Sequence, residues 1–337
     1  MEVKGERRLH LGLDKYSGLY LWALFILVFG LWVPKYFLTL ATLHSVASAQ
    51  AVPAILALGL TIPLSAGVYD LSIGATANLA AVLVVVLQTV RHLGLGESIA
   101  ITLLAGAVIG LINGLIVVKL HVSSLITTLG TSVILGAVQE IIQGPGGPQP
   151  PISRTWSNIT QVNVGGFQVI VIYVIVIALL AWWALDHTPA GRYIYAVGGN
   201  EEAARLSGVA VGKWQILTLV ASGVICSFGG ILYASQSGPS LSFGGALLLP
   251  AFAAVFLGST QFSPGRTNIW GTLLAVYVLA TGVEGLQFVT GVDWLNAMFS
   301  GVALIGAVSF AVWRQRAGIG RSKVGELLDV DHEVANE

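Results

Sequence analysis

The chain has 337 residues, of which 55% are hydrophobic and only 9% are charged, and its 16 basic side chains balance its 16 acidic ones. Soluble domains carry about 25% charged residues, so this composition excludes an ordinary soluble enzyme, a disordered protein and a nucleic-acid-binding protein. The single cysteine, Cys226, excludes an internal disulfide, and the sequence has no Cys/His cluster at the spacing of metal ligands. We therefore expect a polytopic, all-α membrane protein without a metal site.

Ten apolar runs are predicted to cross the membrane, because about 20 mostly apolar residues span the hydrocarbon core of a bilayer. The runs cover residues 19–33, 47–68, 72–90, 98–118, 122–142, 167–185, 215–235, 246–258, 269–289 and 294–313. The run 246–258 is short for a crossing, so a broken or re-entrant helix is an equal alternative there. The predicted organisation is an N-terminal segment 1–17, a transmembrane domain 18–313 and a C-terminal tail 314–337.

Basic residues predict the orientation of these runs, because Lys and Arg concentrate in the cytoplasmic loops of membrane proteins. With ten crossings and a cytoplasmic N-terminus, 13 of the 16 basic residues fall in inside loops. The three in outside loops are Lys35, Arg91 and Arg154. Removing the short run from the count would place one of its flanks on the wrong side. We therefore expect ten crossings, with both termini in the cytoplasm.

Two loops differ from the others. The outside loop 143–166 is rich in Pro and Gly, which is typical of an ordered external cap or of a flexible loop. The inside loop 186–213 carries the signature of a short helix of about two turns outside the bilayer. Asn200 is its predicted N-cap, Glu201 and Glu202 occupy the first turn, where the helix dipole favours acids, and Gly208 is the predicted stop.

Internal repeats are a further possibility to examine, since ten spans can form two halves of opposite orientation. The halves show no convincing match. A faint likeness between residues 53–76 and 250–272 has little weight.

Four segments together resemble a known family. They read SAGVYDLSIGATANLAA, GLINGLIVVKLHVSSLITTLGT, GRYIYAVGGNEEAARLSGVAVGK and LLLPAFAAVFLGSTQFSPGRTNIWGTLLA. In this order they resemble the membrane permease family of bacterial ABC importers for ribose, xylose, arabinose, galactose and similar sugars, over roughly residues 45–312. The chain departs from the family pattern just before Asp70, which follows one extra residue, and at Leu248, Leu249 and Ser259. These departures leave the class of transporter unchanged and the substrate open.

The resemblance implies a type II ABC importer fold, with two permease copies, cytoplasmic ABC ATPase subunits and an extracytoplasmic sugar-binding protein around one pathway. It also implies that the short inside helix couples the permease to the ATPase. The coupling residues are then Asn200, Glu201, Glu202, Ala203, Ala204, Arg205, Leu206 and Gly208. A capped, rigid helix can transmit a displacement to the spans that it joins, whereas a solvated connector, the alternative interpretation, cannot.

Asp70 and Asn113 are two candidates for the translocation pathway. Asp70 lies either at the cytoplasmic mouth of the pathway or, as its spacing favours, at the start of the next span, which it would cap together with Ser72. Asn113 lies within a stripe of glycines, Gly106 and Gly110 among them, at four-residue spacing. That spacing predicts close helix packing, and a buried amide there more often bonds a neighbouring helix than a substrate.

Glu284 is the third pathway candidate, because it is an isolated acid about 7.5 Å from the outer end of its span. An acid at that depth faces the bundle interior or water, snorkels to the interface, or bonds another helix. Gln287 lies one turn away. Phe288 and Trp294, near the same outer end, have rings that can stack on the C–H faces of a sugar.

The sequence predicts no catalytic residue and no cofactor. The segment from Gly208 to Lys213 is too short between its glycines for a phosphate loop and continues with Trp214 instead of Ser or Thr. We expect a multi-pass permease of a bacterial inner membrane, in contact with the lipid bilayer and not with nucleic acid. It would move a monosaccharide or a related neutral, hydroxylated solute by alternating access. The alternative is an ion-coupled secondary transporter, which would be expected to carry several acids at mid-membrane depth.

Overall fold

The computed structural model describes residues 13–147, 149–151, 153–263, 265–292, 294–295, 297–299, 301–306 and 309. The first helices are α1 (Leu13–Trp32), α2 (Pro34–Phe37), α3 (Leu40–Ala49), α4 (Ala51–Ser65), α5 (Ile73–Thr89), α6 (Leu95–Lys119) and α7 (Ser124–Gln143). There follow α8 (Arg154–Gln161), the antiparallel strands β1 (Asn163–Val164) and β2 (Phe167–Gln168), α9 (Val169–His187), α10 (Pro189–Gly199), α11 (Glu201–Leu206), α12 (Val211–Ser237), α13 (Phe243–Gly258) and α14 (Ile269–Thr290). Within the described residues the protein is mostly helical, as the composition predicts.

Each of the ten predicted apolar runs coincides with an apolar helix or a bent helix pair. Five helices, α6, α7, α9, α12 and α14, are long and apolar enough to cross a membrane, and α3 with α4 forms a sixth such segment across a bend of 43°. The apolar helices of the other four runs are shorter: Tyr16–Trp32, Ile73–Thr89, Phe243–Gly258 and Ala297–Gly306. The last run, 294–313, continues beyond the described residues. Residues 1–12 and the predicted tail 314–337 also lie outside them.

A helix break occurs in a different run from 246–258, for which the sequence left a crossing and a broken or re-entrant helix as equal alternatives. The short run 246–258 lies within α13, which continues through Pro250 as an unbroken helix of 16 residues. The bend occurs at Gln50, inside the run 47–68, where the backbone leaves the helical region at φ −86° and ψ 1°. Pro53 follows in the first turn of α4. Because proline has no N–H to bond the carbonyl of the residue four positions earlier, a helix tends to restart at this point.

Two loops contain more structure than the sequence predicted. The outside loop 143–166 carries α8 and the first strand of the β1–β2 hairpin, with Pro148 and Ile152 outside the described residues. The inside loop 186–213 contains α10 in addition to the predicted short helix. Thr188 caps α10 by accepting a hydrogen bond from the N–H of Gly191, and Pro189 follows at the first helical position. Thr-Pro at a helix start is a signal that was available in the sequence.

The centre of the bundle is α12, which packs against α4, α5 and α6. Gly106 of α6 and Gly223 of α12 face each other so closely that a Cβ on either would clash with the backbone oxygen of the other. Gly110 meets the backbone of Leu219 in the same way, and Gly114 packs on Ile216. The predicted glycine stripe is therefore a helix-packing face, and α12 is its partner.

Candidate functional site

The segment 66–72 connects α4 to α5 without helical structure and carries a buried carboxyl group. Gly67 has a φ of +74°, which ends α4, and the N–H of Val68 bonds back to the carbonyl of Pro63. Asp70 is only 3% exposed. A buried polar group requires hydrogen-bond partners, and those of Asp70 come from its own turn and from α12.

Both carboxyl oxygens of Asp70 accept hydrogen bonds. Its Oδ1 accepts from the backbone N–H of Ser72 at 2.9 Å and from the Ser72 hydroxyl at 2.6 Å. Its Oδ2 accepts from the hydroxyl of Ser222, on α12, at 2.7 Å. The sequence favoured a role for Asp70 and Ser72 in capping the next span. Asp70 does bond the backbone N–H of Ser72, just before α5, but the side chain of Ser72 makes no capping bond to the helix. The bond to α12 was not predicted.

Asn113 belongs to the same network. Its Nδ2 donates to the hydroxyl of Ser72 at 3.0 Å, and its Oδ1 accepts from the hydroxyl of Thr131 at 2.6 Å. The interhelical bonds expected of this amide are therefore present. We call Asp70, Ser72, Asn113, Thr131 and Ser222 the Asp70 network. It joins α5, α6, α7 and α12 around one buried carboxyl group.

The polar face of α7 holds the backbone of the segment 66–72. The hydroxyl of Ser124 accepts from the N–H of Tyr69 at 3.1 Å, and the hydroxyl of Thr128 accepts from the N–H of Leu71 at 2.9 Å. With Thr131, these residues recur at helical spacing on one side of α7. This face was not predicted, although its three- and four-residue periodicity is visible in the sequence.

A second turn, residues 238–242, is partly exposed and meets the start of α5. The carbonyl of Leu241 accepts from the side-chain amides of Asn78 at 2.8 Å and Gln139 at 2.9 Å, and the N–H of Gly244 donates to the Oδ1 of Asn78 at 2.8 Å. Among the buried side chains of the described residues, Gln139 keeps an Oε1 with no hydrogen-bond partner.

The N-termini of α5 and α13 touch through two glycines. A Cβ on Gly74 would clash with the backbone oxygen of Gly244, and the reverse is also true. Both glycines end a Leu-Ser-x-Gly sequence, at 71–74 and at 241–244. The faint likeness noted between residues 53–76 and 250–272 paired α13 with α4 and so missed this correspondence.

The predicted short helix is confirmed as α11. The Oδ1 of Asn200 accepts from the N–H of Ala203 at 3.0 Å, which is the predicted N-cap. At the other end Gly208 has a φ of +82°, its N–H bonds the carbonyl of Arg205, and the N–H of Val209 bonds the carbonyl of Ala204. This pair of bonds is a Schellman stop.

The charges and apolar contacts of α11 point in different directions. Arg205 pairs with Glu201 at 2.7 Å on the exposed side, and Leu206 is 82% exposed. Ala204 is buried against Val197 and Val211. The helix is therefore anchored to the permease along one side and offers ions and an apolar side chain on the other. Glu202 and Ala203 complete its first turn.

The helix before α11 rests directly on the segment that carries Asp70. Gly198 of α10 lies so close to the backbone oxygen of Ser65 that a Cβ there would clash with it, and Gly67 is its other neighbour. An open cavity of about 760 Å³ lies beside this contact, with walls from the segments 67–69, 117–125 and 201–215. Glu201 and Arg205 of α11 and residues 67–69, next to Asp70, therefore border one cavity.

A second contact ties α10 to the loop between α13 and α14. The Tyr195 hydroxyl donates to the carbonyl of Thr267 at 3.0 Å, and the guanidinium of Arg266 lies 3.4 Å from the centre of the Tyr195 ring. Burial raises the pKa of Tyr195 above its usual value. The hydroxyl of Thr267 also bonds Ser65 at 2.7 Å.

The other pathway candidates lie apart from the Asp70 network. In the described part of the chain, no hydrogen bond or ion pair involves Glu284, so the interhelical bond, one of the alternatives for this acid, is absent there. Phe288 stacks on Tyr36 at 6.4 Å between ring centres, and Trp294 is 62% exposed. A separate cavity of about 610 Å³ is lined on α14 by Val276, Leu279, Ala280 and Val283, and neither Glu284 nor Gln287 lines it.

Together, the apolar helices and the buried polar network between them are features of a polytopic membrane protein. The comparison with protein families is consistent with this class: residues 42–308 match the family described as "Branched-chain amino acid transport system / permease component". The match covers most of the chain, so the chain belongs to this family. It is a permease component and not an enzyme.

Individual relatives confirm the resemblance carried by the four sequence segments. The chain is 31% identical over 313 residues to the galactose/methyl galactoside import permease MglC of Escherichia coli K12, covering 88% of this chain and 93% of the relative. It is 30% identical over 276 residues to the ribose import permease RbsC of the same strain, covering 81% and 86%. It is 31% identical over 262 residues to the autoinducer 2 import permease LsrD of Yersinia enterocolitica, covering 74% and 77%.

Proposed function

We propose that this chain is the membrane-spanning subunit of an ATP-driven ABC importer that moves a monosaccharide or a related neutral, hydroxylated solute by alternating access. The observation that carries the mechanism is the contact between Gly198, next to α11, and the start of the segment 66–72. A docked ATPase that displaces α10 and α11 would displace this segment, and with it the buried turn at the head of α5.

The substrate class is supported by the chemistry of the Asp70 network. The network contains three hydroxyls, one amide and one carboxyl group, with no cationic side chain among its members. An amino acid, which the family description would suggest, carries a carboxylate that calls for a cation or several N–H donors. A neutral polyol or sugar calls for no such cation. The three relatives are named for galactose, ribose and autoinducer 2, and this agrees with a hydroxylated solute.

The proposed assembly has two permease copies, cytoplasmic ABC ATPase subunits that dock on α11, and an extracytoplasmic binding protein. The proposed location is a bacterial inner membrane, with ten crossings and both termini in the cytoplasm. A reporter fused after residue 198 should then be cytoplasmic, and one fused near residue 155 should be external. Two reporters on the same side would contradict the ten-span topology.

Transport by proteoliposomes tests the energy source. The permease is reconstituted with and without its ATPase, the binding protein is added outside, and uptake of labelled galactose and ribose is measured with ATP inside. Uptake that requires both ATP and the ATPase supports the proposal. Uptake driven by a proton or sodium gradient without the ATPase would support the secondary transporter and refute it. Uptake of leucine under the same conditions, without either sugar, would contradict the substrate class.

A further inference from the structure

An open groove of about 600 Å³ lies between α1, the C-terminal end of α9 and α14. Its lining includes Trp22 of α1, Trp182 and Asp186 of α9, and Trp270, Leu274 and Tyr277 of α14. We call this the aromatic groove. Neither the Asp70 network nor α11 borders it.

The aromatic side chains of the groove leave part of their ring surfaces open. The rings of Trp182 and Trp270 meet edge to face, with 6.0 Å between centres. Trp22 donates its indole N–H to the hydroxyl of Thr281 at 2.9 Å. Within the described residues, the indole N–H groups of Trp182 and Trp270 make no hydrogen bond. Two donors and several ring faces are therefore available to a ligand in the groove.

An ion pair lies at the rim of the aromatic groove. The guanidinium of Arg266 bonds Asp186 at 2.7 Å, and the two side chains are 46% and 31% exposed. Asp186 lines the groove itself. A carboxylate beside indole faces suits an ammonium group, because cations are attracted both to the carboxylate and to the negative face of an indole. A guanidinium next to it suits a phosphate.

We propose that the aromatic groove binds one phospholipid with a primary ammonium headgroup, of the phosphatidylethanolamine class. The ammonium lies between Asp186 and the indole rings, and the phosphate lies at Arg266. The lipid esters accept from the free indole N–H groups, and an acyl chain follows the apolar surface at Leu274. A headgroup with both charges matches a rim with both charges, whereas the anionic phosphatidylglycerol would place a hydroxylated headgroup beside the carboxylate.

Native mass spectrometry of the purified full-length permease tests this proposal. The protein is equilibrated in detergent with equal amounts of phosphatidylethanolamine and phosphatidylglycerol, and retained lipids are counted per chain. One phosphatidylethanolamine should be retained in preference. Trp182→Leu and Asp186→Asn should each lower its retention about fivefold, on the scale of a lost cation–π or charged contact. The matched control is Trp183→Leu, since Trp183 is a neighbouring, exposed tryptophan that does not line the groove.

Further variants separate binding from misfolding. Trp182→Phe keeps an aromatic face and should retain most of the lipid, while Trp182→Leu loses it. Equal retention of both lipids, or equal effects of Trp182→Leu and Trp183→Leu, would overturn the proposal. A permease with Cys226→Ala and Trp270→Cys tests whether a second copy of the chain, and not a lipid, covers the groove. If it forms a disulfide-linked dimer in membranes, a second copy covers the groove, and the lipid assignment is wrong.

Discussion

The hydrogen bond between Ser222 and Asp70 is the clearest place to test whether the buried network stabilises the fold. Ser222→Ala removes the donor to Oδ2 of Asp70 and leaves the two donors to Oδ1 in place. The carboxyl oxygen then remains buried without a partner from the described residues. A buried acceptor without a partner destabilises the fold by about 1–3 kcal/mol, because it has lost its hydrogen bonds to water and gains none in the protein.

The chain offers a matched control on the same helix. Ser227 is also buried, at 1% exposed, but its side chain donates no hydrogen bond in the described region. Ser227→Ala breaks no such bond and should therefore lower the free energy of unfolding by less than Ser222→Ala does. Ser222→Thr keeps the hydroxyl and should recover part of the loss.

Unfolding by SDS in mixed micelles, followed by circular dichroism, measures both variants. The double variant Asp70→Asn with Ser222→Ala completes a cycle, and two directly bonded side chains should show a coupling of about 0.5–3 kcal/mol. Equal unfolding free energies for Ser222→Ala and Ser227→Ala, or additive effects in the cycle, would refute the assigned role of this bond.

Three further predictions concern transport and packing. Gly208→Val places a β-branched residue at a φ of +82°, a backbone conformation that only glycine adopts easily. The variant should reduce both co-purification of the ATPase and ATP-dependent uptake. Wild-type values for both would argue against docking on α11. Gly223→Val should lower the yield of folded protein in detergent, because its side chain would push α6 and α12 apart. Gly130→Val should not, since a Cβ at Gly130 meets nothing within 4 Å. Similar yields for the two variants would contradict the close contact between α6 and α12. Glu284→Gln and Gln287→Leu should each leave initial uptake rates close to the wild-type value, since neither side chain lines the cavity beside α14 or belongs to the Asp70 network. A large loss of uptake in either variant would place that side chain in the pathway.

Local features were predictable from the sequence because they depend on neighbouring residues. The apolar runs give the positions of the helices, since the length and hydropathy of a span are properties of one continuous stretch. The N-cap at Asn200 and the stop at Gly208 follow from side chains and backbone freedom within a few residues. The glycine spacing on α6 likewise indicated a packing face, although it did not name the partner.

Tertiary structure decided which distant residues meet. Asp70 and Ser222 are 152 positions apart, and Ser222 lies in an apolar run where no local rule marks it as the partner of an acid. The contact between Gly198 and Ser65 similarly depends on how α10 folds back onto α4. The sequence left open whether the run 246–258 is broken; in the structure α13 is intact and the bend lies at Gln50. Hydropathy and capping are short-range properties of the chain, whereas the pairing of buried polar groups is chosen by the packing of helices that are remote in sequence.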